Sequence, residues 1–285
     1  MPPITVIIPT FNRAQQCLAA LKSIYAQTSL PAQVIVVDDG STESMNEVKK
    51  CLELHQGLYI FQQNSGVSSA RNLGASKANQ DWLAFLDSDD LWLSEKLEKQ
   101  FQLHLNDPDL FISQTAEIWK RNGKLVNQKN HHAPACGECF ERCVEICCIS
   151  ASAVMIRRDI FYKHDGFDTD FQVCEDYEFW LRLSREYKVG LVREALVVKN
   201  RGTSEQLSES VQALDRYRLK ALLKQFSTKL SHNQRQLIYE TAINKLNILE
   251  KGAIKRKLVE DLKQYQEIRM KIYSDMQGKG SIANL

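Results

Sequence analysis

In the segment DWLAFLDSDDLW, Asp81–Trp92, an apolar run stops abruptly at closely spaced aspartates. Residues Trp82–Leu86 have the length and the continuous apolar character of a buried strand. Asp87, Asp89 and Asp90 follow directly, and carboxylates this close together repel one another. The fold must therefore provide a place where a buried strand ends at a polar site.

The same order of apolar strand, polar turn and amphipathic helix recurs in the chain before this stretch. Continuous apolar strands that alternate with amphipathic helices are typical of a parallel sheet covered on both faces. We therefore predict an α/β fold with a doubly wound, mostly parallel sheet. The predicted strands are TVIIP (5–9), AQVIVVDDGS (32–41) and LYIFQQN (58–64), and the predicted helices are AQQCLAALKSIYAQT (14–28), TESMNEVKKCLELH (42–55) and VSSARNLGASKA (67–78).

Polar side chains gather at the carboxyl ends of these strands. Thr10–Arg13 follows the first strand, Asp38–Ser41 the second, and Asp87–Asp90 the fourth. Any one cluster alone could be an ordinary turn or a helix cap, as Ser41 could be. In an open α/β sheet, however, ligands bind outside the carboxyl ends of the strands. Three polar clusters on this one edge therefore indicate a ligand site.

Three explanations compete for the carboxylates of Asp87, Asp89 and Asp90. Asp90 or Ser94 could begin the helix predicted in EKLEKQFQLHL (95–105). A Ca²⁺ loop does not fit, because its spaced ligands, central glycine and terminal glutamate are missing. A Mg²⁺ or Mn²⁺ ion shared with a phosphate-bearing ligand explains the crowding. Mg²⁺ takes only one or two protein carboxylates and keeps other positions for phosphate oxygens and water.

Two further features could belong to this predicted site. Arg71 lies early in a predicted helix, where its guanidinium could reach a ligand phosphate or brace the acids. Glu175 and Asp176 stand at the start of another predicted helix. They could be there because the helix dipole favours acids at this position, or one of them could serve as a general base. The chain lacks the G-x-x-x-x-G-K-[ST] loop, which argues against a P-loop NTPase. It also lacks a G-x-G-x-x-G after the first strand, which argues against a dinucleotide-binding dehydrogenase.

Five segments together resemble the family 2 inverting glycosyltransferases, which have the A-type glycosyltransferase fold. The resemblance runs from residue 4 to about residue 200 and implies a nucleotide-sugar donor with a Mn²⁺ or Mg²⁺ ion. It also implies direct displacement with inversion, for which one general base is enough. The segments are VIIPTFNR (6–13), VIVVDDGS (34–41), NSGVSSARNLG (64–74), FLDSDD (85–90) and CEDYEFWLRL (174–183).

The resemblance assigns roles in donor binding to individual positions. Thr10 and Asp39 match residues that hold the nucleoside, with Asp39 pairing to the base, and Asn12 lies in the same segment as Thr10. Arg71 matches a residue that supports base and phosphate binding, and Asp87 matches a contact to the donor ribose or the metal.

The resemblance also assigns the catalytic and metal-binding positions. Asp89 matches the metal ligand on the diphosphate, and Asp176 matches the catalytic base, with Glu175 beside it near the acceptor. The segment KNRGTSEQLS (199–208) is similar to a loop that closes over the donor, but the histidine of that loop is missing. The remaining candidates in this loop are Arg201, Gln206 and Ser208.

The C-terminal part of the chain is predicted to be helical, so we divide the chain into a catalytic α/β domain (1–204) and a helical extension (205–285). The extension carries 15 Lys and Arg against 9 Asp and Glu, about +6, and the rest of the chain carries about −4. Its apolar stripes indicate packing surfaces, or alternatively a face that lies on a membrane or a partner. The stripes are Ile238, Ala242, Leu246 and Leu249, and then Ile254, Leu258, Leu262 and Tyr265.

The cysteines carry a weaker signal. Cys139, Cys143 and Cys147 recur every four residues, as small apolar residues on a helix face do, although Cys136 and Cys139 have the C-x₂-C spacing of a zinc or redox site. The chain has no apolar run long enough to cross a bilayer and no recognisable signal peptide, so we expect reduced thiols and a cytoplasmic protein. Peripheral contact with the inner face of the membrane is compatible with the basic extension.

These observations predict an inverting, metal-assisted glycosyltransferase of bacterial polysaccharide biosynthesis. Its donor would be a nucleotide sugar, a UDP-sugar first of all, and its acceptor a hydroxyl of a glycan or a lipid-linked molecule. The charge pattern is too weak for a nucleic-acid partner. The alternatives are a nucleotidyltransferase on a similar fold and a non-catalytic module that binds nucleotide sugars or glycans.

Overall fold

The N-terminal part of the chain builds the parallel half of the sheet. Its strands are β1 (Ile4–Thr10), β2 (Gln33–Asp38), β3 (Leu58–Phe61) and β4 (Trp82–Phe85). A computed structural model of the chain describes residues 1–128, 132–201 and 214–280. These strands lie in the order β3-β2-β1-β4, and every neighbouring pair is parallel. The predicted α/β fold is therefore confirmed, and the carboxyl ends of β1, β2 and β4 share one edge.

Helices cover both faces of this half, because alternate residues of β1 point into different cores. Val6 and Ile8 pack with α1 (Ala14–Tyr25) and α2 (Asn46–Leu54), whereas Ile7 faces α3 (Val67–Ser76) on the other side. The helix α3 lies very close to the sheet. A Cβ added to Gly74 would come within 2.5 Å of Ile7 Cγ2.

The second half makes the sheet mixed. Within the described residues the strand order is β3-β2-β1-β4-β8-β6-β9-β5, with β7 paired to β6. The strand β8 runs antiparallel to β4 and β6, β5 runs antiparallel to β9, and β6 and β9 are parallel. The elements are β5 (Leu91–Trp92), α4 (Lys96–Asn106), β6 (Ile112–Arg121), β7 (Lys124–Val126), α5 (Phe140–Glu145), β8 (Met155–Arg157), α6 (Arg158–Lys163), α7 (Glu175–Ser184) and β9 (Val189–Arg201).

The C-terminal helices are α8 (Asp215–Lys224), α9 (His232–Arg256) and α10 (Val259–Met276). They share one hydrophobic core with α5 and α7, in which Leu222 and Leu246 are fully buried. The boundary predicted after residue 204 lies in 202–213, outside the described residues, and stays a prediction. In the parts of the chain that the structure describes, no helix is long and apolar enough to cross a membrane.

The first C-terminal stripe is confirmed as a packing surface, since Ile238, Ala242, Leu246 and Leu249 are all buried. The second is not a continuous packing surface. Tyr265 is buried, but Ile254 and Leu258 are 62% and 41% exposed where the chain turns from α9 into α10.

Candidate active site

A cavity of about 1190 Å³ opens at the carboxyl ends of β1, β2 and β4, where the sequence predicts a ligand site. The start of α7 and residues of β9 and α8 complete its walls. Of the residues predicted for the site, Gln206 and Ser208 lie outside the described residues. The backbone of Arg201 is described, but its side chain is not. The others meet in this one cavity: Thr10, Asn12, Asp39, Arg71, Asp87, Asp89, Glu175 and Asp176.

The rim of the cavity is formed by two loops that bind each other. Asn12, at a φ of 49°, donates its backbone N–H to Ser41 Oγ at 2.8 Å, and its Oδ1 accepts from the Thr42 N–H at 2.8 Å. Between them Gly40 has a φ of 86°, and a Cβ there would lie 2.8 Å from the Asn64 nitrogen. The sequence therefore fixes this rim before any ligand binds.

Asp39 holds the loop that leads into α3. Its Oδ1 accepts from the Ser65 N–H at 2.8 Å and from Gln62 Nε2 at 2.6 Å, and its Oδ2 accepts from the Gly66 N–H at 2.9 Å. A carboxylate at the N-terminus of a helix is favoured by the helix dipole. Both carboxylate oxygens are thus engaged by the loop.

Arg71 connects the two acidic parts of the cavity. Its Nη2 donates to Asp87 Oδ1 at 2.6 Å and its Nη1 donates to Glu175 Oε1 at 2.7 Å, while the guanidinium lies over the Phe167 ring. Burial raises the pKa of Glu175 to about 7 even though Arg71 opposes the shift. Burial acts on Asp87 in the same direction, but Arg71 and Lys199 outweigh it and hold the pKa of Asp87 below its usual value.

The aspartates that end the opening stretch have different partners. Asp89 accepts from Arg13 Nη1 at 2.9 Å. Asp90 accepts from Ser152 Oγ at 2.7 Å and from the Asn200 N–H at 3.1 Å. Neither Asp90 nor Ser94, the two residues that the sequence offers as the start of the next helix, takes that place, because α4 begins at Lys96 with Glu95 before it. Asp90 instead joins the turn before β8, and β9 itself, to the site, and only 2% of it is exposed.

Glu175 and Asp176 begin α7, as predicted, but their surroundings differ. Glu175 is 8% exposed and its carboxylate is paired with Arg71. Asp176 is half-buried, and its Oδ2 accepts from the Cys147 thiol at 3.4 Å. Of the two carboxylates, Asp176 is therefore the better placed to receive a proton from a molecule in the cavity.

Residues 5–165, more than half of the chain, match the sequence model of Glycosyl transferase family 2. The chain belongs to glycosyl transferase family 2.

Named relatives and solved structures agree with this family. The chain is 32% identical over 201 residues, 70% of its length, to an uncharacterized glycosyltransferase of Rickettsia bellii, and the match covers 29% of that relative. It is 27% identical over 195 residues to the Escherichia coli protein named UDP-Glc:alpha-D-GlcNAc-diphosphoundecaprenol beta-1,3-glucosyltransferase WfgD, covering 66% of this chain and 72% of WfgD. The chain spans less than a third of the length of several Rickettsia relatives that it matches.

The fold has a close counterpart in S. aureus TarS. The structure of a TarS fragment in complex with UDP-GlcNAc matches 98% of this chain and 93% of the fragment, with a TM-score of 0.65 and 16% sequence identity. At 16% identity the likeness shows a shared fold only. The shared part includes the mixed sheet and the C-terminal helices of this family 2 chain.

Two cationic residues that line the cavity are given no role from the sequence, although one of them, Lys199, begins the segment KNRGTSEQLS. Lys199, on β9, places its Nζ 3.0 Å from Ser150 Oγ and 3.9 Å from Asp90 Oδ2. Arg218, on α8, donates to Asp215 at 3.1 Å, and its buried Nε has no partner among the described residues. Nothing in the local sequence marks Arg218, because its place in the cavity depends on how α8 packs against α7.

The predicted helix face of cysteines is only partly present. Cys143 lies in α5, but Cys139 precedes the helix, and Cys147 follows its end at Glu145. The Cys143 sulfur lies 3.9 Å from that of Cys139 and 3.5 Å from that of Cys148. Cys139, Cys143 and Cys148 are buried thiols and pack as small apolar side chains. Among the described residues, no group of three or more Cys, His, Asp or Glu side chains is arranged to hold a metal.

Proposed function

We propose that the chain transfers a sugar from a nucleoside diphosphate, UDP in the first place, to a hydroxyl of a glycan or a lipid-linked acceptor, with inversion. The observation that carries this proposal is the convergence of the predicted donor, metal and base residues on one cavity at the ligand-binding edge of the sheet. Membership of glycosyl transferase family 2 supports the reaction class.

The donor and the acceptor are inferred from the relatives. WfgD is named for a UDP-glucose donor and a diphosphoundecaprenol-linked acceptor, and the TarS fragment was solved with UDP-GlcNAc. For this chain they support a UDP-sugar donor and an acceptor on a glycan or a lipid carrier.

The charge of the cavity supports a divalent cation. Among the described residues that line it, seven carry carboxylates and four are Arg or Lys. A donor diphosphate is itself anionic, so its binding here needs added positive charge. Asp89, with Asp87, would hold Mn²⁺ or Mg²⁺, and two carboxylates are what Mg²⁺ usually takes when phosphate supplies further ligands. When bound, the ion would neutralise negative charge that develops on the departing diphosphate.

The protein's own groups then carry out the remaining work. Asp176 takes the proton from the acceptor hydroxyl as that oxygen attacks the anomeric carbon, and one such base is enough for inversion. Arg71 keeps the end of β4 and the start of α7 together through Asp87 and Glu175, so that donor and base stay in register. Asp39 and Asn12 hold the rim against which the nucleoside binds.

A thermal-shift screen of nucleotide sugars, with and without Mn²⁺, tests this proposal. A ligand at 100 times its Kd stabilises the folded state by about 2.7 kcal/mol, which gives a clear rise in Tm. We expect a rise with UDP-sugars that requires Mn²⁺ and that is lost in Asp89→Asn. No shift with any nucleotide sugar would contradict the proposal, as would an equal shift without metal.

A further inference from the structure

The turn between α9 and α10 exposes apolar side chains that the fold leaves uncovered. Ile254 is 62% exposed, Leu258 is 41% exposed and Val259 is 61% exposed. Lys257, between the two helices, has a φ of 58° and ends α9, so the chain reverses here. The aliphatic side chains therefore lie together at one end of the helical pair. We call residues 251–259 the basic apolar turn.

The same turn is strongly basic. Lys251, Lys255, Arg256 and Lys257 are exposed or partly exposed, and none of them forms an ion pair within the described part of the chain. The acids nearby are already engaged: Glu250 pairs with Arg269, Glu260 with Lys263, and Asp261 with Arg216. The turn therefore presents uncompensated positive charge around its exposed aliphatic groups.

We propose that the basic apolar turn docks onto an anionic lipid bilayer. Lysine and arginine side chains are attracted to the negative surface of such a bilayer, at about 1 kcal/mol each. Aliphatic side chains beside them gain by entering the boundary between headgroups and acyl chains. Exposed aliphatic groups alone would equally suit a second copy of the chain, but a second copy would bring the same positive charges into repulsion.

The position of the turn relates it to the cavity. A smaller cavity of about 390 Å³ is lined by Arg256 of the turn and by Leu214 and Arg218, and these last two also line the large cavity. Docking at the turn would thus bring the side of the large cavity that holds Asp176, the proposed general base, towards the lipid surface. This orientation, which rests on the proposed function, suits an acceptor carried by a lipid.

Sedimentation with vesicles tests the docking without any need for activity. The probes are phosphatidylcholine vesicles with and without phosphatidylglycerol. We expect binding that needs phosphatidylglycerol and weakens with salt. The pair Lys255→Gln and Lys257→Gln should weaken it by about 25-fold, since each basic residue contributes about fivefold. Ile254→Gln with Val259→Gln should weaken it on the order of tenfold through lost apolar contact.

A matched control is available on the opposite side of the molecule. Lys50 and Leu54 of α2 are also strongly exposed, but the charge of Lys50 is compensated by its ion pair with Glu47, and α2 packs in the other core. Lys50→Gln with Leu54→Gln should therefore bind vesicles as the unmodified chain does. All of these variants should keep the Tm of the parent, because the changed side chains are exposed.

Three outcomes would overturn the docking proposal. They are no sedimentation of the parent chain with anionic vesicles, equal binding by the turn variants, and a stable dimer in light scattering that Ile254→Gln with Val259→Gln abolishes. Failure of docking leaves the nucleotide-sugar shift unaffected, so the two proposals fail separately.

Discussion

Replacing Arg71 with methionine is expected to destabilise the fold by about 3–5 kcal/mol, because it breaks a buried charge network by removing one partner. Arg71 is 3% exposed and binds Asp87 and Glu175 at 2.6 and 2.7 Å. The side chain of Asp87 is 28% exposed and can recover hydration, whereas that of Glu175 is 11% exposed and cannot. Most of the cost should therefore come from Glu175.

A double-mutant cycle with Glu175→Gln isolates this contribution. If the uncompensated charge of Glu175 dominates, Glu175→Gln should recover about 1–3 kcal/mol in the Arg71→Met background, a coupling typical of residues in contact. The cost of Arg71→Met should also grow with pH. Without Arg71 the folded pKa of Glu175 rises further above its unfolded value, and a carboxyl with a raised folded pKa loses stability as the pH rises through that pKa.

Urea unfolding of the single and double variants, from about pH 5 to about pH 8, measures these free energies of unfolding. Arg157→Met is the matched control, since Arg157 forms an exposed ion pair with Asp159 and should cost less than about 1 kcal/mol. If Arg71→Met costs no more than Arg157→Met, or if the Glu175→Gln effect is simply additive, the network does not hold the site together as argued.

Two further predictions concern single groups. Asp89→Asn should weaken Mn²⁺-dependent UDP binding on the order of tenfold or more by calorimetry, because the ion loses a carboxylate ligand; unchanged affinity would remove Asp89 from the metal site. Burial lowers the pKa of Lys96, whose Nζ has no hydrogen-bond partner among the described residues and lies over the Trp92 ring. A group whose folded pKa is lowered contributes stability at high pH that is lost as the pH falls, at about 1.4 kcal/mol for each unit of lowering. Lys96→Met should therefore raise the urea midpoint at neutral pH and flatten its rise towards pH 10, and a lower midpoint would show that the cation–π contact outweighs burial.

The parallel half of the sheet and its ligand edge were predictable because their signals are local. Continuous apolar runs such as Val34–Val37 identify buried strands, and the polar residues after them have to meet at one edge. The second half was less predictable, since short strands such as β5 and β8 carry too few residues to show a period.

Contacts between distant parts of the chain lay beyond prediction from spacing. Arg71 and Glu175 are separated by 104 positions, and only the packing of α3 and α7 against the sheet brings them together. Asp90 illustrates the same limit, because its role depends on Ser152 and Asn200. The stripe at Ile254 and Leu258 has helical spacing, yet the turn at Lys257 leaves both exposed.

The role of Asp176 as general base is tested by the rate at which Asp176→Asn releases UDP from the UDP-sugar found in the screen. Water can replace the unknown acceptor in this assay, with Mn²⁺ present. If Asp176 is the general base, release should fall by about 10²–10⁴-fold, while the Kd for the UDP-sugar stays near that of the parent. Release at the parental rate, with the UDP-sugar bound as tightly as before, would contradict the assignment of Asp176 and the mechanism built on it.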